Sequence, residues 1–315
     1  MRPFSHAIES TKARGLALVE LIVVLLILAL LAGTAITATE GLVEETYYDK
    51  TRATLENVES AILGPYAPPT AHDDTLLAGF VADVGRLPRL DGTTEAELLK
   101  ELWQKPPTVE LFSWYPPPGD PELRIPTGWR GPYLHLGFGA ASLVDGWGRA
   151  LLVLKDDGTT AGVGDMPGRI ESLGADGAEG GTDYDYVTPL EIASTVGLSR
   201  HRASFRVRVE PALEGVSATE VLVRVYAPVD GPVRVRAIAQ HHFQVATDTS
   251  FVFADVTVGP RVVRAYHLPA GASEPGFEDA TTLSPRSAPI TVRLVSGGVP
   301  EVVLKVGAPV PPDGR

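Results

Sequence analysis

The feature that most constrains this sequence is an apolar stretch, Leu16–Gly33, in which the only charged residue is Glu20. A short leader, Met1–Gly15, precedes it, and basic residues outnumber acidic ones there. A secretory signal peptide also has a basic start and an apolar core, but its small-residue cleavage site follows the core. Here the small residue, Gly15, precedes the core. Cleavage behind Gly15 would therefore leave the apolar stretch in the mature protein.

The residues around that glycine read Arg14-Gly15-Leu16-Ala17-Leu18-Val19-Glu20-Leu21. This run resembles the prepilin cleavage and methylation motif of type IV pilin-like proteins. That motif has a basic residue, a glycine, an apolar residue and a glutamate at the fifth mature position. The resemblance implies that a prepilin peptidase cleaves behind Gly15 and that Leu16 becomes the N-methylated first residue. Leu16 stands where the family most often has phenylalanine, a replacement that the family tolerates.

Glu20 is the residue of the stretch that most needs an explanation. A lone carboxylate in an apolar helix is costly at bilayer depth unless a cation pairs with it. In pilin-like filaments the partner is the N-terminal amine of a neighbouring subunit, so the resemblance implies that Glu20 sets the register of filament assembly. The alternative is a single-span anchor that tolerates Glu20 near its edge. The resemblance also predicts a single-pass protein of the bacterial inner membrane, with its other domains in the periplasm or in an extracytoplasmic filament.

The spacing of residues beyond the apolar stretch is typical of an amphipathic helix. The recurring residues are Val43, Tyr47, Tyr48, Thr51, Leu55, Val58 and Ile62. Gly64-Pro65 follows, and proline ends helices because it has no N–H to donate. The sequence therefore predicts one transmembrane and assembly helix over residues 16–64, about 75 Å long at 1.5 Å per residue.

Three blocks within residues 65–198 resemble, in sequence and order, the C-terminal half of the major pseudopilin of type II secretion systems. The blocks are Gly128-Trp129-Arg130-Gly131-Pro132-Tyr133-Leu134, Asp145-Gly146-Trp147-Gly148-Arg149 and Ser172–Asp185. The family usually has Asp-Pro-Trp-Gly in the middle block, so Gly146 is a departure that loosens a turn. The resemblance implies a small pilin-like head domain over residues 65–198.

The third block combines glycines, which allow tight turns, with several aspartates in one short loop. Hard oxygen ligands of this kind suit calcium, and in the resembling family the loop binds one Ca²⁺. We therefore expect Asp176 and Asp183 to be side-chain ligands, with Ser172 and Asp185 as further candidates. The alternative is a turn rich in glycine and aspartate whose carboxylates are solvated.

Residues 203–307 change to short β-branched and apolar runs separated by turn signals, which predicts a C-terminal all-β sandwich. The predicted strands are Phe205–Val209, Val221–Tyr226, Val233–Ala239, Phe251–Val258, Val262–His267, Ile290–Leu294 and Val302–Val306. The region resembles carboxypeptidase-regulatory-like or fibronectin-like domains, which commonly serve as binding or spacer modules. Residues 308–315, rich in proline, are predicted to form a frayed tail.

Together these patterns predict an α+β fold: a long N-terminal helix packed on a small pilin-like β-sheet head, followed by the C-terminal sandwich. The resemblance implies a structural subunit of a type II secretion pseudopilus or a related pilus-like filament. Such a subunit assembles with its own copies, with other pilin-like subunits and with an inner-membrane platform. The alternative is a minor pilin-like protein whose β-domain binds a surface, a polysaccharide or a secreted substrate.

Composition limits other functions. The formal net charge of −12 makes nucleic acid an unexpected partner. The absence of cysteine removes disulfides, thiol nucleophiles and cysteine-based zinc sites. The sequence also has no GxSxG, HExxH or Walker-type motif. We therefore do not expect an enzyme.

Overall fold

The computed structural model describes residues 18–64, 79–90, 99–137, 142–192, 200–211, 220–229, 234–243, 249–269, 271–277, 283–294 and 299–307. The chain divides into two compact units, Met1–Tyr47 and Tyr48–Arg315. The described part of the first unit is helical, and the described strands all belong to the second. The leader, including Gly15 and Leu16, and the tail 308–315 lie outside the described residues.

Helix α1 spans Leu18–Leu63. It contains no proline, and it ends where Gly64 has a φ of +91°, a conformation that glycine adopts at little cost. A membrane-spanning helix needs about 20 predominantly apolar residues. No helix in the described part of the chain is long and apolar enough to cross a membrane. This finding corrects the prediction of a transmembrane helix, and with it the predicted single-pass location in the inner membrane.

The predicted α+β class is also wrong, because β-structure dominates. Strands hold a larger share of the described residues than helices do, and the described strands form four small sheets. Besides α1, the described helical segments are the short α2, Phe80–Val84, and single 3₁₀ turns at Lys100–Leu102 and Asp183–Asp185.

The strands of the predicted head region are short and belong to two separate sheets. They are β1 Ser113–Tyr115, β2 Ile125–Thr127, β3 Leu152–Leu154, β4 Arg169–Glu171 and β5 Leu190–Glu191. β1 pairs with β2, and β3, β4 and β5 form an antiparallel sheet in that order. Frequent prolines and glycines limit these strands, since proline lacks a ladder donor and glycine has no side chain to pack. The region therefore has no single large head sheet among its described residues.

Longer strands follow at the positions of the seven predicted ones. They are β6 Arg202–Pro211, β7 Val221–Pro228, β8 Val235–Phe243, β9 Ser250–Thr257, β10 Gly259–His267, β11 Ile290–Leu294 and β12 Glu301–Val306. One sheet has the order β11-β10-β7-β8, and the other has the order β12-β6-β9. The pairs are antiparallel except β12 with β6, which is parallel.

The second unit has a large hydrophobic core to which several of its elements contribute. Residues of α1, α2, β4 and both larger sheets belong to one hydrophobic cluster, including Val58, Phe80, Ile170, Phe205 and Val263. All five are fully buried. The β-strands after residue 200 therefore pack directly against the preceding region of the unit.

Two glycines allow a close approach between α2 and the longer strands. Gly85 has a φ of +85°, and a Cβ there would lie 1.9 Å from the carbonyl oxygen of Pro228. Gly259 has a φ of +113°, and its Cβ would lie 2.5 Å from the Cβ of Ala82. The fully buried Arg261 also donates from Nη1 to the carbonyl oxygen of Ala82 at 3.2 Å. α2 is thus held tightly against β7 and β10.

Candidate functional site

The first part of α1 exposes large apolar side chains at almost every position. Each is between 47% and 69% exposed. These residues, termed the apolar helix surface, are Val19, Leu21, Ile22, Val23, Val24, Leu25, Leu26, Ile27, Leu28, Leu30 and Leu31. Because they are nearly consecutive, they surround the helix instead of forming one stripe. A helix that is apolar on all sides requires an apolar environment, and an exposed apolar area of this kind marks an interaction site.

Glu20 is the one charged residue within this stretch, and its side chain is exposed in the first turn of α1. The first turn leaves backbone N–H groups without intrahelical partners, and the helix dipole favours a negative charge there. The structure therefore places Glu20 where a cation from a second molecule can reach it. The predicted cleavage and methylation positions, Gly15 and Leu16, are not among the described residues.

From Tyr48 onward α1 belongs to the second unit and has a buried side. Its buried side chains include Thr51, Leu55, Val58 and Ile62. Thr51 is fully buried, and its Oγ1 accepts a hydrogen bond from the backbone N–H of Gly146 at 2.7 Å. That bond ties this part of the helix to the turn Asp145–Arg149.

The segment Ser172–Asp185, termed the aspartate loop, folds onto the turn Asp145–Arg149. Asp145 is fully buried, and its carboxylate accepts hydrogen bonds from Ser172 Oγ at 2.8 Å and from the backbone N–H of Arg149 at 2.8 Å. The Arg149 guanidinium donates to the carbonyl oxygens of Gly174 and Ala175, the second at 2.7 Å. The loop and the turn are therefore joined by both a carboxylate and a guanidinium.

One glycine in the loop is required by its backbone. Gly174 has a φ of +68°, and a Cβ there would lie 2.2 Å from the carbonyl oxygen of Asp185. The loop also closes on itself, because the N–H of Gly177 donates to the carbonyl oxygen of Leu173 at 3.1 Å. The high glycine content that the sequence showed thus serves close approach of the two ends of the loop.

The structure describes the predicted calcium ligands only in part. Ser172 is buried, and its hydroxyl already makes hydrogen bonds. Asp176 is exposed with one oxygen accepting from a backbone N–H of the loop, and Asp185 is half-buried. The side chain of Asp183 lies outside the described residues. Among the side chains that are described, no three His, Cys, Asp or Glu residues are grouped to hold a metal ion, so the calcium site stays a prediction.

A buried ionic network beside α2 was not found from the sequence. Asp83 is 2% exposed, and its carboxylate accepts hydrogen bonds from Arg130 Nη2 at 3.2 Å and from Tyr133 Oη at 3.1 Å. Burial raises the pKa of Asp83 to about 6, although the charge of Arg130 opposes this shift. Burial likewise lowers the pKa of Arg261 to about 9, and the charge of Asp83 opposes that change.

The residues that sequence reasoning missed differ in how far they could have been found. Asp145 precedes a Gly-Trp-Gly turn within one of the quoted blocks, and aspartate side chains commonly accept hydrogen bonds from backbone N–H groups of a following turn. Asp83 and Arg261 are far apart in the sequence, and no local pattern relates them. Only the tertiary structure brings them together.

A comparison with known protein families finds no matching family model, and no curated protein matches the sequence significantly. The resemblance to pilin-like proteins therefore rests on the motif around Gly15 and on the three blocks of the head region.

Proposed function

We propose that this chain is a structural subunit of a pilin-like filament, either the pseudopilus of a type II secretion system or a related pilus-like fibre. The apolar helix surface is the observation that carries this proposal. Its side chains are about half exposed or more along α1 from Val19 to Leu31, and such a surface needs a partner of matching chemistry. The same segment of neighbouring copies supplies that chemistry. When different faces of this segment meet in successive copies, the contact is heterologous. Such contacts produce an open helical filament when the rotation from one copy to the next does not close a ring.

Glu20 is proposed to fix the register of these copies. A carboxylate surrounded by apolar helices is stable only when it is paired. Cleavage behind Gly15 would create a positively charged amine on Leu16, four residues before Glu20. The amine of one copy can then pair with Glu20 of the next, and one axial offset between helices is favoured over the others. A similar use of a single polar position sets register in helical bundles.

The second unit is proposed to form the body of the subunit outside the helical bundle. It has a hydrophobic core of its own, to which the last part of α1 contributes Leu55, Val58 and Ile62. Its folding therefore does not require the apolar helix surface to be covered. This separation is what a filament subunit needs, because the body must keep its structure before and after assembly.

The processing of the chain tests the proposal. The full chain is produced in cells with an active prepilin peptidase, and the mass of the intact product is measured. We expect a chain that begins at Leu16 and carries one methyl group on its N-terminal amine. A product that still begins at Met1 would contradict the proposal.

The abundance of the chain in isolated fibres separates the bulk subunit from the minor pilin-like alternative. A bulk subunit is the main protein of the fibre by quantitative mass spectrometry. A minor subunit is present at a small fraction of the main protein. Absence of the chain from every fibre of the producing cell would count against both.

A further inference from the structure

The Arg149 side chain contacts the aspartate loop at two consecutive peptide groups. Its two terminal nitrogens donate to the carbonyl oxygens of Gly174 and Ala175, which are consecutive residues of the loop. Arginine stays protonated in proteins and presents its donors in a rigid planar fork. A single guanidinium therefore fixes two neighbouring peptide groups and brings a positive charge to them.

The turn Asp145–Arg149 and the aspartate loop both constrain the position of this guanidinium. The backbone of Arg149 is closed onto Asp145 by two hydrogen bonds: Asp145 N–H donates to the Arg149 carbonyl oxygen, and Arg149 N–H donates to the Asp145 carboxylate, each at 2.8 Å. On the loop side, Gly177 has a φ of +77°, and a Cβ there would lie 3.2 Å from Arg149 Cζ. A larger residue at 177 would crowd the guanidinium, so the glycine leaves space for it.

These contacts use oxygen atoms of the kind that calcium binds in loops. Calcium in loops binds carboxylate and backbone carbonyl oxygens, and the carbonyls of Gly174 and Ala175 already accept from Arg149. The hydroxyl of Ser172 is used by its hydrogen bonds to the Asp145 carboxylate and the Gly174 N–H. A metal ion and the guanidinium cannot occupy the same side of these carbonyl oxygens.

We propose that the guanidinium of Arg149 is the cation that closes the aspartate loop, in place of the calcium ion that the family resemblance implies. Asp176 does not oppose this arrangement, because its side chain is exposed and one carboxylate oxygen accepts from the backbone N–H of Ala178 at 2.9 Å. The loop then folds with the chain's own charge and does not depend on an external ion.

Thermal unfolding of the full chain tests this proposal, with calcium chloride in one sample and a calcium chelator in the other. We expect the same Tm in both. Arg149→Ala is expected to lower the Tm by a few degrees in the chelator. Arg124→Ala is the matched control, because Arg124 is also exposed and donates to two backbone carbonyl oxygens, those of Pro121 and Leu123. It should lower the Tm less than Arg149→Ala.

Two results would overturn the proposal. One is a rise of several degrees in the Tm of the unmodified chain with calcium that disappears in Asp176→Ala, since the loop would then use the ion. The other is a Tm for Arg149→Ala no lower than that of Arg124→Ala. If Arg149→Ala does not fold, Arg149→Lys is measured in its place. Lysine keeps the positive charge but lacks the planar guanidinium that donates to two carbonyl oxygens. We expect Arg149→Lys to have a lowered Tm that calcium does not restore. Restoration by calcium would again count against Arg149.

Discussion

The two parts of helix α1, before and after the boundary at Tyr47, use the same kinds of residue in opposite ways. Leu28 in the first part is 56% exposed, whereas Ile62 in the second is fully buried. In the first part apolar residues are consecutive, and in the second they recur every three or four residues between polar ones. The second pattern completes a core within the chain. The first leaves an apolar surface that the described residues of the chain do not cover.

The energetic consequence also differs between the two parts. Fully burying a large aliphatic side chain contributes about 1.5–3 kcal/mol relative to leaving it in water. In the second part this contribution stabilises the folded chain itself. In the first part the same contribution becomes available on association, and under the proposed function it stabilises the filament. The comparison predicts that a substitution has its effect on folding in one part and on assembly in the other.

The largest effect on folding is expected from shortening a buried side chain of the second part. Ile62→Ala should lower the free energy of unfolding by about 2–5 kcal/mol, because a cavity is left in the core. The matched change Leu28→Ala removes the same number of carbons from the exposed part and should change it by less than about 0.5 kcal/mol. Denaturant unfolding of both variants measures the difference. Equal losses of unfolding free energy in Ile62→Ala and Leu28→Ala would contradict the claim that only the second part of α1 stabilises the folded chain.

The second unit should also make a pH-dependent contribution to the free energy of unfolding, through Asp83. The pKa of the buried Asp83 carboxyl is raised from 3.8 to about 6 by burial, so the folded state holds its proton more tightly than the unfolded state. The stabilisation is fully present below about pH 4 and is lost as the pH rises through about 6. It amounts to at most about 3 kcal/mol.

Denaturant unfolding of the unmodified chain and of Asp83→Asn between about pH 4 and pH 7 isolates this contribution. Asparagine does not titrate, so the variant should gain stability relative to the unmodified chain as the pH rises. Asp83→Asn also loses the charged contact with Arg130, which changes its free energy of unfolding at every pH. The two proteins are therefore compared by the slope of the free energy of unfolding against pH. Parallel curves for the two proteins would contradict the raised pKa.

The smallest effect on folding concerns two threonines of the same helix. Thr51→Val removes the acceptor of the buried Gly146 N–H and should cost about 1–3 kcal/mol, because a buried donor is left unsatisfied. Thr46→Val is the control from the first part. Thr46 Oγ1 donates to the carbonyl oxygen of Leu42 in the preceding turn of the helix and is exposed. Its replacement should leave the unfolding midpoint nearly unchanged, and a Thr46 loss as large as that of Thr51 would contradict the comparison.

Local sequence patterns located the elements of the fold but not their arrangement. The spacing of apolar residues and the Gly64-Pro65 end were sufficient to place α1, and β-branched runs were sufficient to place β6 to β12. The predicted class was wrong because strand content and sheet size depend on pairing. The close approach of Gly259 to Ala82 joins residues far apart in the chain, and no local pattern contains that contact.

The candidate sites show the same limit. The motif around Gly15 and the position of Glu20 within the apolar stretch need only the local sequence. The aspartate loop was recognised from its glycines and aspartates, yet the guanidinium that donates to two of its carbonyl oxygens comes from the turn Asp145–Arg149, which lies earlier in the chain. Composition within a loop predicts which ligands it offers. It does not predict which group from elsewhere in the fold already binds them.

Filament formation by charge variants of α1 tests the central claim most directly. Leu28→Lys puts a charge into the apolar helix surface, and Thr46→Lys adds the same charge at an exposed position of the helix outside that surface. Fibres of the processed full chain are counted by negative-stain electron microscopy, and the Tm of each variant is measured. The account predicts that Leu28→Lys forms no fibres while its Tm is unchanged, and that Thr46→Lys assembles normally. Normal fibres from Leu28→Lys would contradict the assignment of this surface to assembly.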